Sequence, residues 1–202
     1  MPLRENGVEA SSSPTPGARR RLYPVLPRIW LAAALAASIV RAQTAPQAPA
    51  FRLESTAFQD GASIPPQYAC DGGNASPPLK WNDPPSKAKS LALIVTDIGA
   101  EAGWSHWVVY NIPSTMRELK SAYAWLSRRS DGMLQGRNMG DRAGYFGPCP
   151  DKRHTDRYAF KLYALDALMP NKPGYDRGEL GNAMSGHILA EAQLIGTYSR
   201  NF

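Results

Sequence analysis

The run Leu91-Ala92-Leu93-Ile94-Val95-Thr96 has no polar face. It is short enough for a strand, and apolar side chains at both parities need cover on both sides of a sheet. Residues 107–112 (WVVYNI), stopped by Pro113, and residues 158–165 (YAFKLYAL) predict two more strong strands. Shorter strand signals lie at 51–55 and 79–81. Between these runs the chain is cut by Gly61, Pro65-Pro66, Gly72-Gly73, Pro77-Pro78 and Pro84-Pro85. With 18 Pro and 17 Gly in 202 residues, a helical bundle is excluded and a strand-and-turn protein is favoured. Gly132, Gly136, Gly140 and Gly144 read as turns, since the residues between them share no repeat.

Towards the C-terminus the period changes. Asp176-Arg177-Gly178-Glu179 has the form of a helix capping box. Met184, Ile188, Leu189, Ala192 and Ile195 follow at helical spacing and predict one apolar helix stripe, with His187 as a surface histidine beside it. Strands first and helices last predict a mainly β fold, a two-sheet antiparallel β-sandwich with C-terminal helices.

The N-terminus reads as an address. Arg19-Arg20-Arg21 and Arg28 precede an apolar run at 29–40, too short to span a bilayer, which needs about 20 residues, but suited to a signal-peptide core. Val40-Arg41-Ala42 places cleavage before Gln43, with Ala45 a second candidate point. Residues 1–42 are therefore expected to be a signal peptide, 43–50 a Pro/Ala tether and 51–202 one domain, exported to the periplasm or secreted. No transmembrane segment is expected in the mature chain.

Removing the six basic and two acidic residues of 1–42 from totals of 23 and 17 leaves 17 and 15, a net charge of +2. That balance excludes a nucleic-acid partner, which would need a basic stripe to neutralise phosphates. Two cysteines exclude a disulfide-dense scaffold. There is no G-x-S-x-G, H-E-x-x-H, C-x-x-C or phosphate-binding G-x-x-x-x-G-K motif, and three scattered histidines recommend no metal site, so neither cofactor nor metal is expected.

Asp97 ends the first strong strand and His106 begins the second. If those strands are antiparallel, the two side chains share one end of the sheet. A carboxylate there would orient the imidazole and favour its protonated form, which suits an anion; alternatively Asp97 is a turn residue and His106 a buried strand histidine. Gly147-Pro148-Cys149-Pro150 is a stiff loop, and Asp156-Arg157-Tyr158 leads from it into the third strand, where an Arg can lock a loop or meet an anion. Ser105 beside His106 is no catalytic dyad, because adjacent strand residues point to opposite faces.

These pieces stand in a known order. Phe58-x-Asp60-Gly61, Ile64-Pro65 and Tyr68-x-Cys70-x-Gly72-x-Asn74-x-Ser76-Pro77-Pro78-Leu79-x-Trp81 come first. Trp104-x-His106-Trp107-Val108-x-Tyr110-Asn111-Ile112-Pro113, Gly144-Tyr145-x-Gly147-Pro148-Cys149-Pro150, Arg157-Tyr158-x-Phe160 and Gly186-His187-Ile188-Leu189 follow. From Phe51 to Tyr198 the chain resembles the phosphatidylethanolamine-binding protein family, in its bacterial Raf-kinase-inhibitor-like branch. The resemblance implies a β-sandwich with a small pocket at one end for phosphate-like headgroups, built from a D-x-D-x-P motif, the His of an H-W strand, a G-x-P loop and an H-R-Y motif. Asp97, His106, Gly147, Pro148, Arg157 and Tyr158 match. Gly99 and Glu101 replace the second Asp and the Pro, and Asp156 replaces the His of H-R-Y. Asp156 would set negative charge where an anion should rest, and His154 stands near enough in sequence to substitute as a donor.

Cys70 and Cys149 form an even set with one possible pairing in an exported chain, and the resemblance also places cysteines at both positions. A bridge would close a ring of 80 residues, for which the chain-entropy relation gives about 4–5 kcal/mol. The function expected is that of an exported, non-enzymatic binding protein for a small anionic ligand or phospholipid headgroup, with a possible protein partner. A protease or kinase inhibitor acting through its loops is the first alternative. A hydrolase using Asp97 and His106 is the second.

Overall fold

The computed structural model describes residues 50–99, 104–122, 125–151 and 153–200, all within the compact unit Gln47–Phe202. The expected signal peptide, most of the tether, and Glu101 lie outside the described residues. Two antiparallel sheets form the fold. β1 (Leu53–Glu54), β2 (Leu79–Trp81) and β5 (Glu118–Leu119) make the small sheet, in the order β1-β2-β5. The large sheet has the order β6-β4-β3-β7-β8, from β3 (Ser90–Asp97), β4 (Ser105–Pro113), β6 (Leu134–Gln135), β7 (Thr155–Leu165) and β8 (Ile188–Ser199).

β3 is the central strand, and its two faces feed two separate cores. Leu91, Leu93 and Val95 join Trp107, Val109, Phe160 and Leu162 against Leu53, Leu79 and Trp81 of the small sheet. Ala92 and Ile94 face outward and are covered with Val108, Tyr110 and Leu165 by Leu180 and Met184 of a helix, α1 (Arg177–Met184). Double cover explains why this run has no polar parity.

The capping box is present: Glu179 N donates to Asp176 Oδ1 at 2.8 Å, and Asp176 N donates to Glu179 Oε2 at 2.9 Å. The expected continuation of the helix is overturned. α1 stops at Met184, and Gly186 takes φ +81°, a left-handed conformation that terminates helices cheaply only as glycine. Residues 188–199 are instead an edge strand paired with β7 from Thr155↔Ser199 to Leu165↔Ile188. Ala192, Leu194, Gly196 and Tyr198 are its buried residues, alternating with more exposed neighbours. A period of two fits these residues better than 3.6, and the open edge of β7 decides the matter by supplying a full hydrogen-bond ladder. His187 accordingly sits in the turn between α1 and β8, where Nδ1 lies 2.8 Å from Asp166 Oδ1. Among the described residues no helix is long and apolar enough to cross a membrane.

Candidate functional site

β3 and β4 are antiparallel, so Asp97 and His106 do meet at one end of the large sheet. The register shifts there from Val95↔Trp107 to Thr96↔Ser105, which leaves His106 as the extra residue of a β-bulge. A bulge re-aims its side chain. His106 is turned onto Tyr158 of β7, with ring centroids 5.0 Å apart and planes at 90°. Tyr158 pairs with Asp97 in register. Ser105, on the other side of the bulge, directs its hydroxyl to Arg137 O at 3.5 Å.

A cavity of about 240 Å³ opens at this end. Asp97, His106, Asp156 and Tyr158 line it, together with Gly99, Trp104, Met139, Cys149, Pro150 and Asp151. Asp156 and Tyr158 share a face of β7 by their spacing of two; Arg157, between them, is exposed and does not line the cavity. Gly147 and Pro148 are buried and do not line it either. They attach the loop to its neighbour: Gly147 N donates to Asn74 Oδ1 at 2.7 Å, and Cys70 N donates to Pro148 O at 3.0 Å. A side chain on Gly147 would meet Tyr68 O at 2.5 Å, so close backbone approach requires glycine here. His154 is exposed and outside the cavity lining, though its charge acts on Asp156.

Cys70 and Cys149 form a disulfide with Cα atoms 5.4 Å apart. Since Cys149 lines the cavity, the bridge ties the cavity wall to the 68–74 loop. That loop is held further by Asp71, which accepts from Tyr198 Oη at 2.7 Å and lies 3.6 Å from Arg200 Nε.

The electrostatics run against the expected imidazolium. Burial lowers the His106 pKa, and this outweighs the Phe146 and Gly147 backbone groups and the charges of Asp97 and Asp156. The ring Nδ1 lies 2.9 Å from Phe146 O, so this nitrogen carries the proton and the neutral ring keeps its lone pair on Nε2. Asp156 is shifted the other way. Partial burial and the neighbouring Asp97 raise its pKa, so it holds a proton more readily than an ordinary carboxyl. Burial with Asp97 and Asp156 nearby also raises the Tyr158 phenol, which stays a hydrogen-bond donor. Gly99, standing where the second Asp was expected, donates its N–H to Asp97 Oδ1 at 2.8 Å. Among the described residues no Lys or Arg lines this cavity, while Asp97, Asp151 and Asp156 do.

Sequence reasoning did not single out Trp104, Met139, Pro150 or Asp151 as site residues. Trp104 stood in the recognised Trp104-x-His106 motif and could have been found there; Met139 arrives from a long irregular segment and carries no such signal.

The fold is a two-sheet antiparallel sandwich with a small pocket of carboxylates and one imidazole at one sheet end. Its sequence matches the model of the phosphatidylethanolamine-binding protein family over residues 54–199, and the chain belongs to that family. It is 46% identical to a UPF0098 protein of Methanothermobacter thermautotrophicus, over 73% of this chain and 98% of that one. A UPF0098 protein of Chlamydia muridarum is 42% identical, over 74% and 99% of the two chains. Among solved structures, a phosphatidylethanolamine-binding protein homologue from Chlamydia trachomatis superposes with a TM-score of 0.67 at 38% identity, covering 75% of this chain and 99% of its own. Escherichia coli YbcL does so with a TM-score of 0.68 at 30% identity, covering 76% and 100%.

Proposed function

We propose that the chain is an exported, non-enzymatic binding protein whose end cavity receives a small phosphate-like headgroup. The observation that carries this reading is the convergence of Asp97, His106, Asp156 and Tyr158 on one cavity of about 240 Å³. Membership of a family named for a phospholipid ligand supports it.

The donors for an anion are the Tyr158 hydroxyl and, in their protonated forms, His106 and Asp156. The carboxylates weaken a bare anion at neutral pH and suit a ligand that brings its own cation. Phosphoethanolamine, with an ammonium to face Asp97, is therefore the better probe than inorganic phosphate. Acidification adds a proton to His106 or Asp156 and strengthens phosphate binding. Calorimetric titration of both probes on either side of pH 6.5 tests this; absence of saturable binding at either pH removes the headgroup reading.

Export would make the mature protein begin at Gln43, and N-terminal sequencing of the secreted form reads that directly; an intact 29–40 segment contradicts it. A protein partner reached through the loops is a second reading, favoured by Trp104 and Trp125, which are 49% and 45% exposed on separate loops.

A further inference from the structure

The outer face of the large sheet is covered on only one side. α1 lays Leu180 and Met184 over β3, β4 and Leu165 of β7, while Ile188, Leu189, Glu191 and Gln193 of β8 are left exposed. Between them runs a groove of about 820 Å³, within the range of about 300–1,000 Å³ typical of small-molecule sites. Ile94, Ala159 and Met184 give it an apolar floor, and Ile98 and Ile188, 48% and 47% exposed, stand at its rim. Its helix wall is made by Arg177, Gly178, Gly181 and Asn182.

The charges in the groove are unevenly matched. Lys161 is paired with Glu191 at 3.0 Å. Arg177 is half-buried and has no ion pair or side-chain hydrogen bond among the described residues; at Tyr163, another lining residue, burial and the cross-strand Glu191 carboxylate raise the phenol pKa, and Lys161 and then Arg177 act against them. A partly desolvated guanidinium without an anion gains from one that binds. Asp97 borders the groove too, but lies far from this cation: Tyr163 is five residues along β7 from the residue that faces Asp97, about 17 Å at 3.3 Å per residue.

The helix wall breaks a local rule as well. Two glycines in eight helical residues weaken α1, by about 1 kcal/mol each relative to alanine. At Gly181 an added Cβ would meet nothing within 4 Å. Neither backbone conformation nor packing requires glycine there, and its effect is to keep the groove open.

We propose that this groove binds a single-chain anionic amphiphile, its carboxylate on Arg177 beside Tyr163 and its alkyl tail over Ile94 and Ala159 towards Ile98. The groove shares Asp97 with the end cavity as a lining residue, but its Arg177 end lies away from it, and the proposal does not rest on headgroup binding there.

The test is an NMR titration of the full mature chain with decanoate, with decyltrimethylammonium as the cationic control. Decanoate is expected to shift the amides of α1 and of 159–163 saturably, and the cationic amphiphile to bind at least tenfold more weakly. Arg177→Glu should abolish decanoate binding, and Gly181→Leu should block it by filling the groove. Equal binding of the two amphiphiles, binding unchanged by Arg177→Glu, or a groove occupied by a second copy of the chain in sedimentation experiments would overturn the proposal. Because Arg177 is half-buried, the folding of Arg177→Glu is checked independently by circular dichroism, and the control amphiphile decides the matter in wild type alone.

Discussion

Cys149 lines the end cavity and Cys70 lies in the neighbouring loop, so the disulfide between them is also a strut of the cavity wall. Their closeness in space joins residues 79 apart in sequence. Reduction, or the double substitution Cys70→Ser/Cys149→Ser, is expected to lower unfolding free energy by up to about 4–5 kcal/mol on the chain-entropy relation. Phosphoethanolamine affinity should fall in parallel. Denaturant titration of oxidised and reduced protein measures the first effect; two alkylated thiols in the native exported form would mean that no bridge forms there.

Burial of His106 has a signed pH consequence. Its folded pKa lies below the ordinary 6.5, so between the two values the unfolded chain binds more protons. Stability therefore falls as pH drops through 6.5, and the loss levels off below the folded value. His106→Gln should flatten that part of the profile. In wild type, the His106 ring resonances should titrate below 6.5, and Asp97→Asn should move them lower still by removing a charge that favours the imidazolium.

Asp156 works in the opposite direction. Its raised pKa means that the folded chain binds the extra proton, so this group adds stability as pH falls through the raised value and loses it as pH rises. Asp156→His removes a carboxylate from the cavity and adds a donor. Phosphate affinity is expected to rise by about tenfold, or near 1.4 kcal/mol. Calorimetry on the variant reads the change, and an unaltered affinity would separate Asp156 from ligand binding.

Gly147→Ala tests the loop behind the cavity. The new methyl would lie 2.5 Å from Tyr68 O and 2.8 Å from Ala69 backbone atoms. Backbone cannot swing aside as a side chain does, so a loss of about 1–3 kcal/mol is expected. Thermal unfolding measures it.

The large sheet was legible because three of its strands are nearly unbroken apolar runs, and β3 showed its double cover in having no polar parity. β8 was misread because Met184, Ile188 and Ala192 satisfy a spacing of four and a spacing of two alike. Only the left-handed Gly186 and the vacant edge of β7 separate the alternatives. At the site, Asp97 and His106 were found from their positions at strand ends. The bulge that aims His106 was invisible, since it exists only in the register between β3 and β4. The same limit applies to Gly147 and Pro148: their composition marks a stiff loop, but only the fold shows that they hold the 68–74 loop while Cys149 and Pro150 line the cavity. The sign of the His106 shift depends on burial against nearby charge, which residue spacing does not reveal.

A headgroup bound in the end cavity must touch the residues that line it. An amide and aromatic NMR titration of the mature protein with phosphoethanolamine tests this most directly. Saturable shifts are expected at Gly99, Trp104, His106, Cys149, Asp156 and Tyr158, with the His106 ring pKa rising as ligand binds. Saturable shifts confined to another surface, with these residues unmoved, would contradict it.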